Sequence, residues 1–208
     1  MLKIGVLVSG GGTNLQAIID EIEAGNIPNA EIATVVSSNP NAYALERAKN
    51  HNINGVCIRK KDFENSEEYE KALIKHFESC GVGLVVMAGF MTVIGETFIN
   101  QYENKIINIH PSLIPSFCGN GYYGLKVHEA AIEKGVKVSG ATVHFVTAET
   151  DAGPIILQKA VDINDDDTAE TLQKRIMTEA EWVILPEAIR LISEDKLKVC
   201  GNKVRRIY

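Results

Sequence analysis

Short apolar runs alternating with segments of helical period constrain this chain more than anything else in it. Residues 3–9 form an apolar run closed by Gly10-Gly11-Gly12. Leu15, Ile18, Ile19 and Ile22 then recur at helical spacing, and Gly25 ends that segment. A second strand is expected at 31–37, a helix at 42–50 and a strand at 55–58. Tyr69, Ala72, Leu73, His76, Phe77 and Cys80 mark a longer helix, whose outer face carries Glu67, Glu68, Lys71 and Lys75. Residues 82–87 are apolar without alternation, as a strand is when helices cover both its faces. A helix at 96–102 leads into a strand at 106–110. This repetition predicts an α/β fold, a doubly wound and mostly parallel sheet.

After Pro115 the texture changes. Residues 116–124 are a Gly-rich loop, followed by a helix at 127–134. Strands at 138–146 and 155–163 can pair antiparallel around a bend at 147–154, a small antiparallel part added to the parallel sheet. Thr168 opens a long helix through Leu172, Ile176, Val183 and Ile184, with a break expected near Pro186. The tail, 197–207, reads as a small hairpin turning at Gly201-Asn202. Neither a repeat nor a linker interrupts the chain, so its 208 residues read as one domain, 1–208, long enough to bury a full core.

A formal net charge of −6 argues against broad binding to nucleic acid or an anionic membrane, which needs a basic footprint. It leaves room for a small anion held in a local pocket. No apolar run reaches the length of a membrane span, and the amino terminus enters a strand directly, without signal-peptide character. Cys57, Cys80, Cys118 and Cys200 form no CxxC pair and read as free thiols of a reducing cytoplasm.

Three places carry chemistry. Along the strand that ends in Asn108-Ile109-His110, alternation points Asn108 and His110 to one face and Ile107 and Ile109 to the other. Pro111 cannot donate to a ladder, so the polar pair stands at the carboxyl end of the strand, where open α/β sheets bind ligands. An amide beside an imidazole can stabilise an oxyanion. The second place is Ser9-Gly10-Gly11-Gly12-Thr13-Asn14, a glycine turn ahead of a helix. Its spacing matches neither G-x-G-x-x-G nor a Walker loop, yet its backbone can approach a phosphate, with Thr13 or Asn14 capping the helix. It reads equally as a plain tight turn. The third is Asp151 in Asp151-Ala152-Gly153-Pro154, which would orient His110 and favour its charged form if the two met. Sequence spacing does not establish that meeting. His144 reads as structural, His51 and His76 as ordinary helix residues, and His128 as near enough the Gly-rich loop to visit a site. No His or Cys spacing supports a metal centre.

Taken together, Ser9-Gly-Gly-Gly-Thr-Asn-Leu-Gln-Ala-Ile18, Ala88-Gly-Phe-Met91, Asn108-Ile-His-Pro-Ser-Leu-Ile-Pro115 and Asp151-Ala-Gly-Pro-Ile-Ile-Leu-Gln158 closely resemble the phosphoribosylglycinamide formyltransferase family, in order and over nearly the whole chain. The resemblance implies a Rossmann-like formyltransferase fold, with a nucleotide-binding half, 1–110, and a folate and catalytic half, 111–208. It implies Asn108, His110 and Asp151 as the catalytic trio, without a metal. Gly11, Gly12, Thr13 and Asn14 would take the substrate phosphate, and Glu181 the rest of that substrate. Met91, Thr92, Val93 and Ile94 would line the folate pocket through main-chain groups, together with Asn108. Family members often carry Arg where Thr92 stands and another near Ser66, which leaves Arg59, Lys60 and Lys61 as candidates to hold the folate tail.

The implied reaction is formyl transfer from 10-formyltetrahydrofolate to the amine of glycinamide ribonucleotide in cytoplasmic purine synthesis. A protonated His110 would serve the oxyanion, and the resemblance admits a homodimer. The alternatives are a formyltetrahydrofolate hydrolase, another formyltransferase with the same trio, or a non-catalytic nucleotide-binding module. The loop 117–124 is longer than in the shortest members, and its glycines and tyrosines suggest a cover over the substrate.

Overall fold

The computed structural model describes residues 1–207. They form two compact units, one of Met1–Asn108 and one from Ile109 onward.

The first unit runs β1 (Leu2–Val8), α1 (Thr13–Glu23), β2 (Ala30–Ser37), α2 (Tyr43–Asn50), β3 (Gly55–Cys57), a 3₁₀ turn (Lys60–Asp62), α3 (Ser66–Ser79), β4 (Leu84–Met87), α4 (Glu96–Gln101) and β5 (Ile106–His110), whose last two residues enter the second unit. Every pairing among these five strands is parallel. The absence of alternation in β1 and β4 has the expected cause: Ile4, Val6, Leu7, Val8, Val85 and Val86 are all buried, whichever face they point to. Gly5 is required inside β1, because a Cβ there would stand 2.8 Å from Cε1 of Phe77. That ring belongs to a cluster with Phe98 and Tyr102, the aromatic part of the unit's core. Asn65 caps α3 by accepting from the Glu68 N–H at 2.9 Å.

The second unit continues through α5 (Leu125–Lys134), β6 (Val138–Phe145), β7 (Ile155–Asp162), α6 (Ala169–Ile176), a π turn (Met177–Glu181), α7 (Trp182–Ser193), β8 (Leu197–Cys200) and β9 (Lys203–Arg206). β6 and β7 pair antiparallel, as their alternation predicts, with a register shift between Val143 and His144. β8 and β9 form the small hairpin, turning at Gly201 in a left-handed conformation. The strand order is β3-β2-β1-β4-β5-β6-β7 in one seven-stranded, mostly parallel sheet, beside the two-stranded β8-β9.

The break expected near Pro186 lies elsewhere. Pro186 sits inside α7, and the irregularity is the π turn just upstream. The proline ring crowds the carbonyl four residues earlier, that of Trp182, where the π turn meets α7. The widening therefore falls one turn before the ring.

Candidate active site

β5 ends as its alternation requires. Ile107 and Ile109 are buried on one face, while on the other Asn108 is half-buried and His110 only 4 % exposed. The chain beyond Pro111 is then held by one hydroxyl. Thr142, on β6, donates to the Ser112 carbonyl at 2.6 Å and accepts from the Ile114 N–H at 3.1 Å. It also accepts from Gln158, whose amide reaches the Ile114 carbonyl as well. Ser112 donates in turn to the Ser116 carbonyl at 2.6 Å. This clamp brings the Phe117 carbonyl to 2.9 Å from His110 Nε2.

Asp151 arrives from the bend between β6 and β7 in a left-handed conformation, φ 55°. Gly153 sets the bend, since any Cβ there would collide with the Phe145 carbonyl. The Asp151 carboxylate is buried between two imidazoles. Oδ2 lies 3.7 Å from His110 Nδ1 and Oδ1 lies 3.6 Å from His144 Nε2. Both separations are longer than a close hydrogen bond and become ion pairs only when the ring is protonated. Its one close backbone donor is Gly119 N–H, at 2.8 Å to Oδ2. The loop 117–124 thus touches both His110 and Asp151.

Donor and acceptor accounting decides the tautomers. A carbonyl can only accept, so His110 carries a proton on Nε2 toward Phe117, and His144 carries one on Nδ1 toward Phe145 at 2.8 Å. The second nitrogen of each ring faces the carboxylate. A proton on either of these nitrogens is drawn to the same carboxylate.

Burial acts against that proton in the resting protein. It pushes the His110 pKa below its ordinary value, outweighing the Phe117 carbonyl and the Asp151 charge, which both push it up. The Asp151 carboxylate acts in the direction the sequence leads one to expect, favouring the charged ring, but desolvation is larger and the net shift is downward. For Asp151 the balance is reversed. Burial pushes its carboxyl up, but His144, the Gly119 N–H and the His110 charge together bring it below the usual carboxylate range. Asp151 is ionised at neutral pH. His128, on α5, is 1 % exposed with no hydrogen-bond partner on either ring nitrogen, and burial and the field of His110 lower it to about 4.

In the first unit the glycine turn opens α1. Gly12 itself is the amino-terminal cap, left-handed at φ 70° and ψ 34°, and no side chain caps the helix. The expectation that Thr13 or Asn14 caps α1 is therefore corrected: Thr13 and Asn14 are the first two residues of the helix. Ser9 Oγ accepts from the Met91 N–H at 2.9 Å and shares a 2.7 Å hydrogen bond with Ser38 Oγ. Met91 and Val93 are largely exposed, Thr92 is half-buried and Ile94 is buried. The buried carboxylate of Glu70 closes this loop by accepting from Gly95 N–H at 3.0 Å and Phe98 N–H at 3.1 Å. Of the candidate tail anchors, Arg59 is paired to Asp62 through two hydrogen bonds, and Lys60 and Lys61 lie in the 3₁₀ turn. Glu181 is 7 % exposed in the π turn.

Two residues escaped the sequence reading. His144 proves to be the second imidazole on Asp151, and its shared face with Thr142 on β6 was the signal available. Glu70 gave none, because it reads as one more acid on a charged helix. His51 and His76 are engaged with Glu23 and Thr34, as ordinary residues are. Among the described residues no group of three or more His, Cys, Asp or Glu could hold a metal, and no helix is long and apolar enough to cross a membrane.

Residues 2–189 match the family described as Formyl transferase. The chain is 42 % identical over 202 residues to a phosphoribosylglycinamide formyltransferase of Haemophilus influenzae, covering 97 % of this chain and 92 % of that one. It is 38 % identical over 200 residues to the trifunctional purine biosynthetic protein adenosine-3 of Homo sapiens, spanning 19 % of that longer protein. Among solved structures, glycinamide ribonucleotide transformylase 1 from Symbiobacterium toebii superposes with a TM-score of 0.94 at 44 % identity, covering 100 % of this chain and 95 % of that one.

Proposed function

Because the chain belongs to the formyl transferase family, we propose that it moves the formyl group of 10-formyltetrahydrofolate to the primary amine of 5′-phosphoribosylglycinamide, a step of de novo purine synthesis. The observation that carries the chemistry is the buried carboxylate of Asp151, 3.7 Å from His110 Nδ1 and 3.6 Å from His144 Nε2.

The amine attacks the formyl carbon and a tetrahedral oxyanion forms. The Asn108 amide and His110, two positions apart on β5, stabilise that charge. The Nε2 proton of His110 is already given to Phe117, so Nδ1 is the nitrogen that answers to the reaction. Burial keeps the resting ring neutral, and the same low dielectric strengthens the pull of Asp151 and of a developing oxyanion. The ring therefore gains its proton most readily when the negative charge appears. As the intermediate collapses, the bond between the formyl carbon and the folate nitrogen breaks. The one proton lost by the attacking amine is the proton that the His110–Asp151 pair takes up, and it passes from that pair to the folate nitrogen.

Gly11, Gly12, Thr13 and Asn14 receive the substrate phosphate, and Glu181 the remainder of the ribonucleotide. Met91, Thr92, Val93, Ile94 and Asn108 receive the folate. The partners of the chain are these two small molecules, with neither nucleic acid nor a membrane among them, and its place of action is the cytoplasm.

The test offers purified protein 10-formyltetrahydrofolate with three acceptors: glycinamide ribonucleotide, charged initiator tRNA, or water alone. Transfer to the ribonucleotide is expected. Equal release of tetrahydrofolate without any acceptor would make the protein a hydrolase instead, and no release at all would leave it a binding module.

A further inference from the structure

The glycine turn contains no basic residue, although a phosphate brings up to two negative charges. A cation stands directly behind it. Arg47, on α2, donates from Nε to the Gly11 carbonyl at 2.8 Å and from Nη1 to Gln16 Oε1 at 2.9 Å. Its guanidinium carbon lies 5.0 Å from the centroid of the Tyr43 ring, so the group is gripped on three sides. One turn earlier on α2, the Ala44 N–H donates to the Gly10 carbonyl at 3.2 Å.

These two bonds set the polarity of the turn. The C=O and N–H of a trans peptide point in opposite directions. Drawing the carbonyls of Gly10 and Gly11 toward α2 aims the N–H groups of Gly11 and Gly12 away from it. A Cβ added at Gly10 or Gly11 meets nothing within 4 Å, whereas one at Gly12 would stand 2.6 Å from Ala44 Cβ. The turn thus rests on α2 at Gly12 and is open at Gly10 and Gly11.

We propose that Arg47 is a positioning residue for the substrate phosphate. It locks the Gly11–Gly12 peptide with its N–H toward the anion and keeps a positive charge behind the turn. The inference rests on the phosphate assignment above and adds a residue outside the turn. Lysine is a poor substitute, because a single ammonium cannot reproduce the planar fork that holds Gly11 and Gln16 together.

The experiment compares Arg47→Gln and Arg47→Lys with the unmodified chain, varying each substrate in turn. Losing a charge-assisted hydrogen bond predicts a KM for glycinamide ribonucleotide raised about tenfold or more, with kcat within about twofold and the KM for the formyl donor unchanged. Competitive inhibition by inorganic phosphate should weaken in parallel. Inorganic phosphate alone is the second probe: it should shift the Gly11 and Gly12 amide resonances of the unmodified chain, and much less those of Arg47→Gln.

An unchanged ribonucleotide KM with unchanged phosphate shifts in the folded variants overturns the proposal. So does a loss confined to kcat, or a rise in both KM values together. The phosphate titration needs no turnover. Inactivity toward glycinamide ribonucleotide with Arg47-dependent phosphate shifts would therefore refute the proposed reaction and uphold Arg47, whereas normal turnover by Arg47→Gln would do the reverse.

Discussion

Replacing Asp151 by Asn tests the centre of the site. The change keeps size and shape and leaves an amide oxygen for the Gly119 N–H, so the bend between β6 and β7 should survive. It removes a charge 3.7 Å from His110 Nδ1, in surroundings where His110 is 4 % exposed. At an effective dielectric constant of 20, a full charge pair at that distance interacts by about 4 kcal/mol. The ring is only partly charged in the transition state, and the carboxylate is shared with His144. Roughly two-thirds of the interaction, about 3 kcal/mol, is then at stake. That is a loss of about two orders of magnitude in kcat.

The KM for glycinamide ribonucleotide should barely move, since its phosphate is assigned to a different loop. His110 should titrate at lower pH in the variant, because the charge that pushed its pKa up is gone while the burial that pushed it down remains. Ring NMR over a pH series reads that shift, and steady-state kinetics reads the rate. A rise in the His110 pKa, or formyl transfer within about threefold of the unmodified chain, would refute the reasoning.

Gly11→Ala should fold normally, meeting no atom within 4 Å, yet raise the KM for the ribonucleotide. Gly12→Ala should instead cost about 1–3 kcal/mol of stability by denaturant melting, from its positive φ and its collision with Ala44. Thr142→Val keeps the shape of β6 but strips the hydroxyl from Ser112, Ile114 and Gln158. It should lower stability by about 1–3 kcal/mol and kcat with it, and equal melts would discount the clamp. His128 titrates near 4 when folded and near 6.5 when unfolded, so only the unfolded chain binds its proton between those values. The stability it permits is complete above about pH 6.5 and is lost as pH falls toward 4, by up to about 3 kcal/mol. His128→Leu should flatten that part of the profile, and an unchanged slope between pH 7 and 5 would refute the assignment.

What the chain's own order of residues determined is what local rules govern. The alternation of apolar runs and helical periods settled the order of strands and helices, because burial on one face or two leaves a different period in the sequence. Pro111 and the alternation of β5 placed Asn108 and His110 at a strand end, and Gly10-Gly11-Gly12 marked a turn that needs an unsubstituted backbone at Gly12. Those facts are decided within a few residues of one another. The neighbours of Asp151 were not: His110 lies 41 positions before it, and only the bend at Gly153 and the clamp at Thr142 bring them together.

The reach of Arg47 to Gly11 and the π turn displaced from Pro186 are likewise products of packing between elements. So is the charge of His110. A nearby carboxylate can be guessed from a motif, but desolvation is summed over every atom that excludes water from the ring, and it outweighed the upward push of that carboxylate. Chemistry written in single residues was legible in the sequence, whereas the balance between burial and charge existed only once the chain had folded around them.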